Sequence, residues 1–271
     1  MGNALFIVWR ETIEAMLVIG ILHGWLAARP EARPGFPWLW GGVAAGLGLA
    51  AFLALTIMGM QSWASETALD WLQALMPLVA CAMIVQMVWW MRRHGAGLKR
   101  ELEAGMESAA DRANWLGMAL LAAVAVGREG AETVVFLYGA VGSETGARIA
   151  LGGGLGFLLA LAAYWLLSRG SHLFSWRAFF RVTEILLLLL GGALLVDGAE
   201  KLVGMEALPA LADPLWDTSA WFDDGTRLGG LVAAFSGYRA MPSGMAYALL
   251  AAYWAFASGM VLKVKPVGRK A

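Results

Sequence analysis

Residues 10–14 read RETIE and residues 128–132 read REGAE, and each of these two charged words lies inside an otherwise apolar stretch. Each word places one arginine and two glutamates where a lipid-spanning helix ordinarily carries no charge. A charged residue at the centre of such a helix costs about 2.5–3.5 kcal/mol on insertion scales, and ionisable residues inside membranes usually have a function. The two words therefore indicate a membrane protein with a functional site inside the bilayer.

The composition supports the same class. Of the 271 residues, 60% are hydrophobic and 15% are charged, and the mean hydropathy is +0.65. Soluble domains carry about 25% charged residues. The formal net charge is zero, and no basic cluster is interleaved with aromatic residues, so we predict no nucleic-acid partner.

Seven apolar stretches are long enough to cross the hydrocarbon core, which takes about 20 helical residues. They lie near residues 4–28, 38–60, 71–91, 115–140, 147–168, 179–200 and 241–262. Lysine and arginine concentrate after the first, third, fifth and seventh stretches, which places the N-terminus outside and the C-terminus in the cytoplasm. We predict an all-α integral membrane protein with seven transmembrane helices, residues 1–271 forming one transmembrane domain. The alanine-, glycine- and tryptophan-rich composition favours a bacterial plasma (inner) membrane.

The two charged words lie in the first and fourth stretches, so three spans separate them and the two halves run in opposite senses. This pattern is typical of an inverted repeat. Repeat one covers about 4–91, repeat two covers about 115–200, and an extra helix covers about 241–262. The letters GLG at 46–48 and at 154–156 are a weaker echo of the repeat. Counted from the outer helix ends, the glutamates of both words fall about 10–16 Å deep.

Within each word the two glutamates are three residues apart and share a helix face, and the arginine can pair with the second glutamate four residues on. One arginine against two glutamates leaves a surplus negative charge, which favours a transported-cation site over a buried ion-pair staple or a proton-only relay. Carboxylate oxygens with no cysteine or histidine nearby suit a hard cation such as ferric iron or manganese. The predicted metal ligands are Glu11, Glu14, Glu129 and Glu132, and the charge-balancing residues are Arg10 and Arg128.

Two RExxE words in the first and fourth spans of a seven-helix chain resemble the mark of the oxidase-dependent iron permeases, the fungal high-affinity iron permeases and their bacterial counterparts. The resemblance covers essentially the whole chain. It implies that the four glutamates carry iron, in ferric form after oxidation by a separate enzyme. The arginines would keep the acids ionised, so that iron binds and can still leave.

The resemblance also implies the partners: the iron ion, membrane lipid, and a separate ferroxidase or periplasmic iron-binding protein. No cofactor is expected, since iron is the transported substrate. Fungal members carry an acidic exterior motif, and the stretch 65–70 matches it poorly, which argues against direct docking of a ferroxidase.

Three acids of the sixth stretch are candidate auxiliary metal ligands: Glu184, Asp197 and Glu200. The alternative interpretation pairs Glu184 with Arg181 and Asp197 with Lys201, each at helical spacing.

Two rival functions remain. One is a transporter of another cation, such as lead or manganese. The other is a membrane carboxylate metalloenzyme, which would normally add Glu-x-x-His pairs or an HExxH motif. The chain has three histidines and neither motif, so we predict that it is not an enzyme.

Overall fold

The computed structural model describes residues 2–94, 97–111, 114–141, 146–168 and 176–263, and within these ranges the regular structure is helical. The helices are α1 (Gly2–Ala27), α2 (Phe36–Trp63), α3 (Glu66–His94), α4 (Leu98–Asp111), α5 (Trp115–Val141), α6 (Gly146–Ser168), α7 (Trp176–Gly204), α8 (Arg227–Ser236) and α9 (Gly244–Lys263), and a 3₁₀ helix covers Pro30–Gly35. Each predicted apolar stretch coincides with one long helix, and the ends differ by at most five residues.

Five of the described helices are long and apolar enough to cross a bilayer: α2, α3, α6, α7 and α9. Helices α1 and α5 are as long, with 26 and 27 residues, but each carries the three charges of a charged word. Lipid does not tolerate such charges on an exposed helix face. The two word-bearing helices therefore need protein around them. They pack against each other and, between them, against five of the other described α-helices: α2, α3, α4, α6 and α8.

The long helices pack in a reciprocal pattern. Helix α5 packs most extensively on α2, α1 packs on α6, and α3 packs on α7. Two glycines allow the first two pairs to approach closely, since a Cβ at Gly46 would lie 2.8 Å from the backbone nitrogen of Gly127, and one at Gly156 would lie 3.0 Å from that of Trp9. Gly127 and Trp9 are the residues just before the arginines of the two words. By their packing, Gly46 and Gly156 occupy equivalent positions in the two halves of the chain. The repeated letters GLG had paired Gly46 with Gly154 instead, but Gly154 has open space around it.

Two buried apolar clusters hold the helices together. The larger joins α1, α3, α5, α7 and α9 through residues that include Phe6, Ile84, Phe136, Leu190 and Tyr253. The smaller joins the other end of α1 to α4 and α5 through Leu22, Trp25, Met106 and Met118. Between the two clusters, α1 and α5 carry the charged words.

Two short helices occupy segments that the sequence analysis treated as loops. Helix α4 is amphipathic and buries Leu102 and Met106 against α1 and α5. Helix α8 begins at Thr226, whose side chain accepts a hydrogen bond from the Gly229 N–H, and ends at Gly237, which has a left-handed φ of 71°. These are ordinary start and stop signals for a helix.

Helix α8 packs against α7 and α1 along its inner face, while its Leu228 and Leu231 side chains are exposed. The ring of Phe235 packs edge-on against Phe6 of α1, with 6.0 Å between centroids. Gly237 lies against Ala193 of α7, eleven residues before α7 ends at Gly204, which is about 16 Å along a helix. Helix α8 therefore covers the first turns of α1 with protein. The depth of the glutamates estimated from the sequence did not include this helix.

Candidate metal centre

Helices α1 and α5 bring the two charged words together. The helices are antiparallel neighbours, and the glutamates of each word lie on one helix face because they are three residues apart. Carboxylate oxygens of Glu11, Glu14 and Glu129 all lie within 4.8 Å of one another. We call these three residues the carboxylate cluster.

The spacing of the cluster suits one bound cation. Two oxygens on one hard cation, each at 2.0–2.6 Å from the metal, are at most about 5 Å apart. The fourth predicted ligand, Glu132, is buried and lies close enough to Glu11 and Glu14 for charge repulsion. Glu132 forms an ion pair with Arg128 and is not one of the three residues of the carboxylate cluster. The structure thus joins acids from both words, as the sequence analysis expected, with Glu132 at the edge.

Arg10 is completely buried and neutralises part of the cluster. Its guanidinium donates to Glu11 Oε1 at 2.5 Å and forms an ion pair with Glu14. The same group also lies against two methionine sulfurs of α3, at 3.2 Å from Met87 Sδ and 3.5 Å from Met91 Sδ. Arg10 therefore contacts both carboxylates of its own word and two thioethers of α3.

Arg128 occupies the equivalent position of the second word in a different environment. Its side chain is 43% exposed, and its Nε donates to Glu132 Oε1 at 2.8 Å. The guanidinium lies over the ring of Trp90 of α3, 5.0 Å from the ring centroid, in a cation–π contact. The two words are alike in sequence, but the first arginine is sealed inside the protein and the second is not.

The cluster holds hydrogen-bonding capacity that the described residues do not use. Four buried carboxylate oxygens of the two words have no hydrogen-bond partner in the described part of the chain: Glu11 Oε2, Glu14 Oε1, Glu129 Oε2 and Glu132 Oε2. Of these, Glu14 Oε1 is in an ion pair with Arg10. Within the same ranges Glu129 has no ion-pair partner, whereas the other three glutamates each have an arginine. Four carboxylates against two arginines leave two surplus charges when all are ionised. A site of this kind can accept a cation or protons.

The three candidate auxiliary ligands are engaged elsewhere. Glu184 forms an ion pair with Arg92 of α3, so the alternative pairing with Arg181 is wrong, and Arg181 is exposed. The cause is that α3 packs along α7 and presents Arg92 to Glu184, which sequence spacing cannot show. The pairing of Asp197 with Lys201 is confirmed at 2.8 Å.

Asp197 has a second partner that the sequence analysis missed. Arg239, in the link between α8 and α9, donates to Asp197 Oδ1 at 2.8 Å and to Asp224 Oδ2 at 3.5 Å. Glu200 accepts a hydrogen bond from the backbone N–H of Ser243 at 2.7 Å. These acids tie the segment between α7 and α9 to α7.

The residues that distinguish the two words were also missed. Met87, Trp90 and Met91 all come from the last turns of α3. From the sequence, a methionine in this stretch predicts core packing, and a tryptophan near the helix end predicts a position at the membrane interface. No rule of sequence spacing links these residues to α1 or α5. Only the packing of α3 reveals the contacts.

Comparison with known proteins gives an independent result. The sequence model described as the iron permease FTR1 family matches residues 1–264. The ferrous iron permease EfeU of Escherichia coli O6:H1 is 27% identical over 242 residues, covering 88% of this chain and 86% of that protein. The ferrous iron permease EfeU of Shigella flexneri is 30% identical over 173 residues, covering 63% of this chain and 74% of that protein. No solved structure matches the chain.

Proposed function

The chain belongs to the iron permease FTR1 family, and from that premise we propose that it imports iron through a site built from its two RExxE words. The observation that carries the proposal is the meeting of Glu11, Glu14 and Glu129 from two helices within 4.8 Å of one another. If the acids served only as structural ion pairs, each buried glutamate would need a positively charged partner. The three glutamates of the carboxylate cluster have only one such arginine, Arg10, among the described residues.

Arg10 gives the proposed site a means of release. A cation that binds Glu11 and Glu14 competes with the guanidinium for the same oxygens, so binding is favourable but limited. A transport site must bind its ion strongly enough to load and weakly enough to empty. Arg128 plays the same part for Glu132.

The proposed topology has seven spans, α1, α2, α3, α5, α6, α7 and α9, with the N-terminus outside and the C-terminus in the cytoplasm of a bacterial plasma membrane. Five of these helices are apolar enough by themselves, and α1 and α5 are surrounded by other helices. Helices α4 and α8, with 14 and 10 residues, are too short to cross. The loop charges support the orientation.

We also keep the inverted repeat as a proposal, with α1–α3 as one half, α5–α7 as the other, and α9 as the extra helix of a single domain. The reciprocal contacts of Gly46 with α5 and Gly156 with α1 support it, because each glycine meets the residue before a word's arginine.

The oxidation state of the iron needs its own test. The relatives are named as ferrous iron permeases. The resemblance predicted ferric iron delivered by a separate ferroxidase or periplasmic iron-binding protein, and an all-carboxylate site favours the harder ferric ion. We propose ferric iron as cargo, and ferrous iron is the second candidate because of the relatives' names.

We propose that the protein has no enzymatic activity and needs no resident cofactor, in keeping with a family and relatives described as permeases. Glu184, Asp197 and Glu200 would then join the metal path only after leaving the partners described above. Lead and manganese remain alternative cargoes for the same oxygen donors.

Radioactive iron uptake into proteoliposomes tests the proposal. Ferrous and ferric iron are supplied separately to the unaltered protein, to Glu14→Gln and to Glu129→Gln. Glu103→Gln, on exposed α4, is the matched control for loss of one acid. We expect uptake to fall at least about a hundredfold in both cluster variants, the loss of about 2.7 kcal/mol of binding or barrier lowering, and to stay unchanged in the control.

Equal uptake in all four proteins would mean that the words are a structural staple. Proton movement that depends on Glu14 and Glu129 with no iron uptake would favour a proton relay. Uptake of lead or manganese in place of iron would change the cargo and keep the site.

A further inference from the structure

The segment between α7 and α9 covers the first turns of α1. Within it, α8 places Leu231 3.2 Å from where a Cβ on Gly2 would lie, and Phe235 packs on Phe6. Phe6 precedes Arg10 by one helical turn and so lies on the same face of α1. Helix α8 therefore packs against α1 one helical turn before Arg10, on the N-terminal side of the carboxylate cluster.

Helix α8 is also built as a separate piece. It is bounded by Gly225 before its N-cap and by Gly237 at its end, and Gly237 adopts a φ of 71° that other residues rarely adopt. Its outward face is apolar, with Leu228 74% exposed. Its inner face, with Ala233 buried, packs mainly on α7, so the position of α8 depends on its ties to α7.

One arginine fastens this piece. Arg239 reaches Asp197 on α7 and Asp224 at the start of α8, so a single guanidinium joins both ends of the α8 segment to α7. Lys201 also binds Asp197, at 2.8 Å, but it is on α7 itself and cannot hold α8. The two cations therefore differ in one respect: only Arg239 crosses between the elements.

We propose that α8 is a lid over the outer side of the carboxylate cluster, latched by Arg239, and that it must move for a cation to reach the cluster. This inference rests on the proposed function, since it supplies the access step for that site. Gly225 and Gly237 are the hinges, and the Phe6–Phe235 contact is the seal. Cations arriving from outside would compete with Arg239 for Asp197 and Asp224, which would release the latch.

A reversible cross-link tests the lid. Cys81 is the single cysteine and is buried, so Cys81→Ala gives a background without thiols. In that background Gly2→Cys and Leu231→Cys place two thiols on facing positions of α1 and α8. A short, membrane-impermeant bis-methanethiosulfonate reagent added outside should reduce iron uptake at least tenfold, and removal of the link by a reductant should restore it. Leu231→Cys alone is the control and should keep its uptake.

The latch is tested by accessibility. An Ile7→Cys reporter, at a buried position of α1 outside the Phe6–Phe235 contact, should react slowly in the Cys81→Ala background with an impermeant thiol reagent supplied outside. Arg239→Gln should speed the reaction about tenfold, and Lys201→Gln, which removes the other cation from the same carboxylate, should not.

Each outcome decides the inference. If the cross-linked protein takes up iron at the rate of the untreated protein, there is no lid. If Arg239→Gln and Lys201→Gln alter labelling equally, or if neither does, Arg239 is no latch. Uptake by the untreated double-cysteine protein shows that transport itself is intact, so failure of the lid is distinguishable from failure of the proposed function.

Discussion

Replacing Arg10 by methionine should destabilise the protein far more than the same change at Arg128. Arg10 is fully buried between two carboxylates, and Arg128 is 43% exposed beside one. Removing one member of a buried ion pair costs about 3–5 kcal/mol, because the other charge stays buried without a partner. Loss of Arg128 also leaves buried Glu132 without its partner, but the 43% exposed guanidinium is screened by solvent and pairs with one acid, so this loss costs less than that of Arg10. Since the two words are alike in sequence, the difference tests the structure itself.

Methionine suits the change because it keeps an apolar stem of similar length and would pack beside Met87 and Met91. For a chain of this size, 1 kcal/mol corresponds to about 2–4 °C in melting temperature. Arg10→Met should therefore lower the melting temperature by about 6–20 °C, and Arg128→Met should lower it by a smaller amount. Adding Glu14→Gln to Arg10→Met should recover part of the loss, because it removes one of the unpaired charges.

The assay is thermal unfolding of all variants in the same detergent at a fixed protein concentration. The fraction still folded after heating is measured by size-exclusion chromatography. Equal shifts for the two arginine variants, or a larger shift for Arg128→Met, would refute the reasoning. So would a double variant that is less stable than Arg10→Met alone.

Two further predictions concern helix packing. Gly46→Val should separate α2 from α5 and so lower both the melting temperature and iron uptake, because a Cβ at Gly46 would lie 2.8 Å from backbone atoms of α5. Gly48→Val is the control: a Cβ there meets open space, so it should change neither quantity. Equal shifts in melting temperature for the two variants would contradict this prediction. Arg92→Gln should lower the free energy of unfolding by about 1 kcal/mol or more, which is about 2–4 °C in melting temperature, since it leaves half-buried Glu184 without its partner. The reversed pair, Arg92→Glu with Glu184→Arg, should recover stability in the same assay, and failure to recover would mean that the ion pair itself contributes little.

The sequence predicted the long helices and the meeting of the two words because those features depend on local composition and spacing. Apolar length marks the spans, and the three-residue spacing of Glu11 and Glu14 fixes their common face. The convergence with Glu129 followed from the opposite sense of α1 and α5. Each of these inferences uses only residues near in sequence or a count of crossings.

The remaining features depend on contacts between distant segments. The burial of Arg10 depends on Met87 and Met91, and the partner of Glu184 is Arg92, ninety-two residues away. No sequence rule connects these positions. Helix α8 was different, because its start and stop signals, Thr226 and Gly237, were available around a short apolar run.

The central claim is that both words bind the same cation, and the number of ions bound per chain tests it most directly. Purified protein is equilibrated with iron, and the bound metal is counted for the unaltered protein, Glu14→Gln and Glu129→Gln. A site shared by both words predicts one ion per chain, lost on replacing the acid of either helix. Two ions per chain, with each variant losing only one, would mean a separate site in each word and would rule out a shared site.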